Sequence, residues 1–83
     1  MNDHIKEIVG RKIKGVVVKE SGKNSPSMQI FLVFSDGYYF EIYNSYGQLT
    51  WAKGLNRGGL PEVRNYLSDV CEIVLEECDE SMN

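Results

Sequence analysis

The clearest pattern of hydrophobic positions lies in the middle of the chain. Residues 28–35 and 38–44 are two runs rich in β-branched and aromatic side chains, separated by Asp36-Gly37. Such runs read as strands. Asp-Gly between them suits a two-residue type I′ turn, whose central residues both need positive φ. That turn pairs Ser35 with Tyr38 and sets the register outward. One hairpin face then carries Phe31, Val33, Tyr38, Phe40 and Ile42. The other carries Met28, Ile30, Leu32, Phe34, Tyr39, Glu41 and Tyr43.

The flanking segments are read by the same rules. Ile5, Ile8 and Val9 fall at helical spacing behind Asp3, a capping residue, and Gly10 stands where a helix stops, so residues 3–9 are predicted as a short helix. Residues 11–20, with Ile13, Val16, Val17 and Val18, are predicted as a strand. Residues 21–27 are a polar connector. Residues 45–48 read as a second turn, and residues 49–53, with Trp51, as a short fourth strand. A loop over residues 54–59 leads to Pro61, which suits a first helical turn. Leu60, Val63 and Leu67 share a helical face. The β-branched run after Ser68-Asp69 favours a final strand over residues 70–77; the alternative is one long helix from residue 61 to 77.

The chain is therefore expected to be a single α+β domain spanning residues 1–83. It has an antiparallel four- to five-stranded sheet and two short helices, in the order α-β-β-β-β-α-β. Charge suggests which strands neighbour one another. Residues 1–23 hold six basic residues against three acids, and residues 61–80 seven acids against Arg64 alone. A last strand beside the first lets Lys12, Lys14 and Lys19 face Glu72, Glu76 and Glu77. This gives the order 5-1-2-3-4.

Composition narrows the class. Hydrophobic content of 42% and charged content of 25% fit a globular chain rather than a disordered one. The apolar run from Ile30 to Phe34 is too short to span a bilayer. The polar N-terminus lacks a signal-peptide core, so a cytoplasmic protein is expected. Cys71 and Cys78 are too far apart on one strand or helix to form a disulfide, and their spacing is not that of a zinc site.

No arrangement of residues points to catalysis, a cofactor or a metal. His4, the one histidine, lies close to the N-terminus, and no Gly-x-Ser-x-Gly elbow occurs. The loop Asn56, Arg57, Gly58, Gly59 is the candidate site for an anion or an acidic partner, because glycine N–H groups and a guanidinium favour negative charge. It lacks the Gly-Lys-Ser/Thr ending of a phosphate loop. The aromatic cluster from Tyr38 to Trp51 contains no Lys or Arg between Gly37 and Thr50, which argues against a nucleic-acid platform.

Both hairpin faces are largely apolar, and two short helices cover one face only. The expected function is a non-enzymatic protein-interaction module. A homodimer through a face bearing Tyr39, Tyr43 or Trp51 is the leading form, and an accessory, inhibitor or immunity-type protein a variant of it. The alternatives are a small-ligand-binding domain that uses the second apolar face, and nucleic-acid binding through the basic N-terminal segment.

Overall fold

A computed structural model of the chain describes residues 4–21, 27–45, 48–51, 54–66, 68 and 71–79. The elements are a 3-10 turn His4–Ile8, β1 Ile13–Ser21, β2 Ser27–Phe34, β3 Tyr38–Ser45, β4 Gln48–Trp51, β5 Asn56–Arg57, α1 Leu60–Asn65 and β6 Cys71–Cys78. The strands form one antiparallel sheet in the order β4-β3-β2-β1-β6, with β5 pairing the start of β3.

This corrects the expected α+β class with two helices. Among the described residues the chain is a six-stranded sheet with one short helix. The N-terminal helix is replaced by the 3-10 turn. The N–H of Val9 bonds Lys6 O, and that of Arg11 bonds Ile8 O, both three residues back. Short helices gain most of their stability from packing an apolar face. Here Ile5 is 41% and Val9 81% exposed, so nothing supports one. The sixth strand, β5, lies inside the stretch expected to be a loop. The long C-terminal helix is also ruled out, because α1 ends at Asn65 and β6 follows. β6 does lie beside β1.

The hairpin register also differs. Val33 pairs with Tyr39, Leu32 with Phe40 and Phe31 with Glu41, so β2 and β3 are joined by three residues, Ser35, Asp36 and Gly37. Gly37, at φ 90°, takes the left-handed position such a loop requires. Each loop residue is bound by a distant partner. Ser35 N–H donates to Lys12 O, Asp36 pairs with Arg11, and Gly37 O accepts from Gly58 N–H. The one-residue slip moves Tyr38, Phe40 and Ile42 to the face of Ile30 and Leu32. It leaves Tyr39, Glu41 and Tyr43 with Phe31 and Val33.

The expected ladder of opposite charges between the first and last strands is absent. Glu20 stands opposite Glu72, Lys19 opposite Ile73, and Val16 and Val17 opposite Glu77 and Glu76. A bulge around Val74 shifts the register there. The expected turn at residues 45–48 falls partly outside the described residues, as does Leu67. Cys71 and Cys78 are free thiols paired with opposite ends of β1.

The core lies between α1 and the sheet. Val17, Phe31, Val33, Leu60 and Val63 form it, with Tyr39 and Cys78 packed against them. Gly15 on β1 makes room for the helix: a Cβ there would lie 3.4 Å from Leu60 Cδ2 and 3.2 Å from Glu77 O. With principal extents of 37 × 30 × 16 Å, the molecule is a thin slab.

Candidate functional site

The sheet presents two contrasting faces. The helix-bearing face is apolar under α1 and polar beyond it. α1 starts at Gly59, whose N–H donates to Glu62 Oε1 at 2.7 Å, and its apolar residues Leu60 and Val63 point into the core. Past its C-terminus the same face carries Lys19, Gln29, Glu41 and Tyr43 on three adjacent strands.

Lys19 is fully buried. Its ammonium donates to Val63 O at 2.5 Å, to Tyr66 O, and to Arg64 O at 3.5 Å, so it caps the carbonyl end of α1. It also lies 5.3 Å from the ring centre of Phe31 and 5.9 Å from that of Tyr66. Burial holds its pKa below the usual lysine value, while Cys71 and Glu41 pull it back up. Glu41 is 9% exposed. Burial pushes its carboxyl pKa up, and Lys19 pulls it down. The Tyr66 hydroxyl is raised mainly by Glu41, and that of Tyr39 mainly by burial.

The opposite face carries Val16, Val18, Ile30, Leu32, Phe40, Ile42 and Leu75 at ladder positions. Its Asp36 end is closed. Phe34 and Phe40 are buried, and the Arg11 guanidinium lies 5.9 Å from the ring centre of Phe34 and 5.6 Å from that of Tyr38. Arg11 is fixed there by Glu7 O and Asp36. Toward the other end the face is open: Val16, Val18, Ile30, Leu32 and Ile42 are half-buried, and Met28, Leu49 and Leu75 are exposed.

The residues singled out in the sequence are split by the fold. Tyr39 and Tyr43 belong to the helix-bearing face. The backbone of Trp51 pairs with Ile42, and its side chain lies outside the described residues. In the loop, Asn56 and Arg57 form β5, and Arg57 Nη2 bonds the Tyr38 hydroxyl at 3.3 Å. Gly58 N–H is bonded to Gly37 O and Gly59 N–H to Glu62, so both glycine donors are engaged within the chain. A cavity of about 530 Å³ opens between α1 and β6, lined by Lys14, Leu60, Pro61, Arg64, Glu76 and Cys78. The exposed Arg64–Glu76 ion pair crosses it and lowers the Glu76 pKa. Lys19 and Glu41 were missed as site residues. In the sequence Lys19 looked like one more basic residue on a strand, and Glu41 one carboxylate among aromatics.

These features define a small antiparallel-sheet protein with, among the described residues, a single covering helix. Among the described residues, no three His, Cys, Asp or Glu side chains are grouped to hold a metal ion, and no helix is long and apolar enough to cross a membrane. No protein-family model, curated protein or solved structure matches the chain.

Proposed function

We propose that the protein is a non-enzymatic interaction module that pairs with a second copy of itself through the open face of its sheet. The observation that carries this reading is the apolar ladder Val16, Val18, Ile30, Leu32, Ile42 and Leu75, which no described element covers, opposite a face that has its own helix. Large apolar patches on proteins mark interaction sites. The reading moves the expected interface away from Tyr39 and Tyr43, which lie on the helix-bearing face.

Two observations favour a second copy as the occupant. The slab is flat, 37 × 30 Å across and 16 Å thick, so its open face is matched in outline by the same face of a second copy. The ends of the slab also differ in charge. Glu20 and Glu72 are exposed at one end, while the Asp36 end mixes exposed Lys6 and Lys12 with Glu7 and Asp36. A two-fold axis lying between stacked faces and crossing the strands sets the acidic end of one copy over the mixed-charge end of the other and keeps the two acidic ends apart.

Light scattering after size exclusion tests this. The 9.5 kDa chain is expected to elute at twice its mass, and Leu32→Glu at the monomer mass with its far-UV spectrum kept. A wild-type chain that remains monomeric as its concentration is raised to that of a saturated sample overturns the reading.

A further inference from the structure

We propose that the outer edge of β6 is a docking site for a basic, extended segment of another protein, which adds to the sheet as a further strand. The site is the backbone edge of the sheet, and it does not depend on the proposed pairing of open faces.

β6 ends the strand order and, among the described residues, pairs with β1 alone. The bonding pattern shows which of its backbone groups are left over. Asp79 N–H donates to Lys14 O at 2.8 Å, and Glu77, two residues back, stands opposite Val16. Bonded pairs alternate along an antiparallel ladder, so Glu77 and Asp79 turn their N–H and C=O groups toward β1. Those of Glu76 and Cys78 turn outward. The bulge around Val74 lies before this stretch, and residues 75–78 keep a regular register. An edge of this kind is a template for another strand, and proteins commonly blunt it by shortening it or by adding proline or lysine. β6 has none of these. It runs for eight residues, Cys-Glu-Ile-Val-Leu-Glu-Glu-Cys, whereas β4 at the other end of the order has four. At its centre Ile73, Val74 and Leu75 are three consecutive exposed aliphatic residues.

Charge selects the occupant. β6 carries Glu72, Glu76 and Glu77 and no basic residue. Glu76 is paired with Arg64. Glu72 and Glu77 are exposed and share the open face with Leu75, and Glu72 already stands opposite Glu20 on β1. Two copies of β6 paired antiparallel over their full length would set Glu72 of each against Glu77 of the other. Like charges directly opposite destabilise a strand pair. The same carboxylates favour a strand that alternates lysine or arginine with aliphatic residues, its cations on the open face. The acids thus act against a second copy and for a basic partner.

Nuclear magnetic resonance on the full-length, isotope-labelled chain tests the proposal. The probe is an end-blocked peptide of alternating lysine and valine, as long as β6. One control has glutamate in place of lysine; the other is the lysine peptide fully N-methylated, which keeps its charge and cannot donate. The expected result is saturable binding of the lysine peptide alone, with hydrogen exchange slowed at the Glu76 and Cys78 amides. The double variant Glu72→Lys, Glu77→Lys changes two exposed side chains and is expected to bind roughly tenfold more weakly. The glutamate control reads the same charge dependence without a variant. No saturable binding, equal binding of either control, an unweakened double variant, or binding without protection at Glu76 and Cys78 overturns the proposal. So does protection of those two amides in the free chain as its concentration is raised, which would make a second copy the occupant.

Discussion

The two faces of this sheet are made from the same strands, yet one is finished within the chain and the other is not. On the helix-bearing face, Leu60 and Val63 complete an apolar core with Val17, Phe31 and Val33, and Lys19 ties the helix end to the strands. On the opposite face, the described residues close the Asp36 end alone, through the residues around Arg11. The rest, from Met28 through Leu32 to Leu75, is apolar at its centre with Glu20, Glu72 and Glu77 toward the β6 edge, and no described element lies over it. The difference follows from what each face is given. One receives a helix with its own cap and a buried cation at its far end. The other receives a five-residue 3-10 turn whose apolar side chains Ile5 and Val9 stay exposed. A domain of this size has little surplus stability, so an unfinished face is better explained as an interface than as neglect.

Breaking the finished face at Lys19 has the largest expected effect. Lys19→Met leaves the carbonyls of Val63, Arg64 and Tyr66 without their donor and is expected to cost about 2–4 kcal/mol. The measurement is the urea midpoint at unchanged slope. A loss under about 0.5 kcal/mol would show that burial of Leu60 and Val63 alone holds α1 in place.

The register that separates the faces depends on Gly37. Gly37→Val puts a β-branched residue at φ 90° and is expected to cost about 1–2 kcal/mol, read in the same way. Unchanged stability would mean that the loop can take a conformation with negative φ there.

Glu41→Gln has a smaller effect, of opposite sign. Burial raises the folded-state pKa of Glu41 above its unfolded value. The contribution of this group is therefore most favourable below the unfolded carboxylate pKa and is lost as pH rises through the folded value. At neutral pH the variant is expected to be more stable than wild type by about 1 kcal/mol, and the gain should vanish in acid. A variant equally destabilised at both pH values would show that Glu41 has a partner in the fold.

Much of this architecture was legible in the sequence, for identifiable reasons. The β-branched runs of β1, β2 and β6 and the Pro61 start of α1 are local signals, and local physics decided them. The placement of the last strand beside the first was also reached, but through a charge argument the structure does not support. Glu20 faces Glu72, and Lys19 turns to the helix end instead. The hairpin register was missed by one residue because Lys12, Arg11 and Gly58 each bind a residue of the Asp36 loop, and all three partners lie outside the hairpin. That slip misassigned the faces of Tyr38 to Tyr43. The polar end of the helix-bearing face was illegible for a similar reason. Lys19 and Glu41 lie twenty-two positions apart, and the helix end that Lys19 caps begins more than forty residues after it.

The central claim is that the open face is covered by a second copy. Intermolecular contacts in a mixture of isotope-labelled and unlabelled chains test it most directly. The account predicts transfer between copies at the methyl groups of Val18, Ile30, Leu32 and Ile42, and none at Val33 or Val63. Transfer confined to other residues, or none at any methyl group, would contradict it.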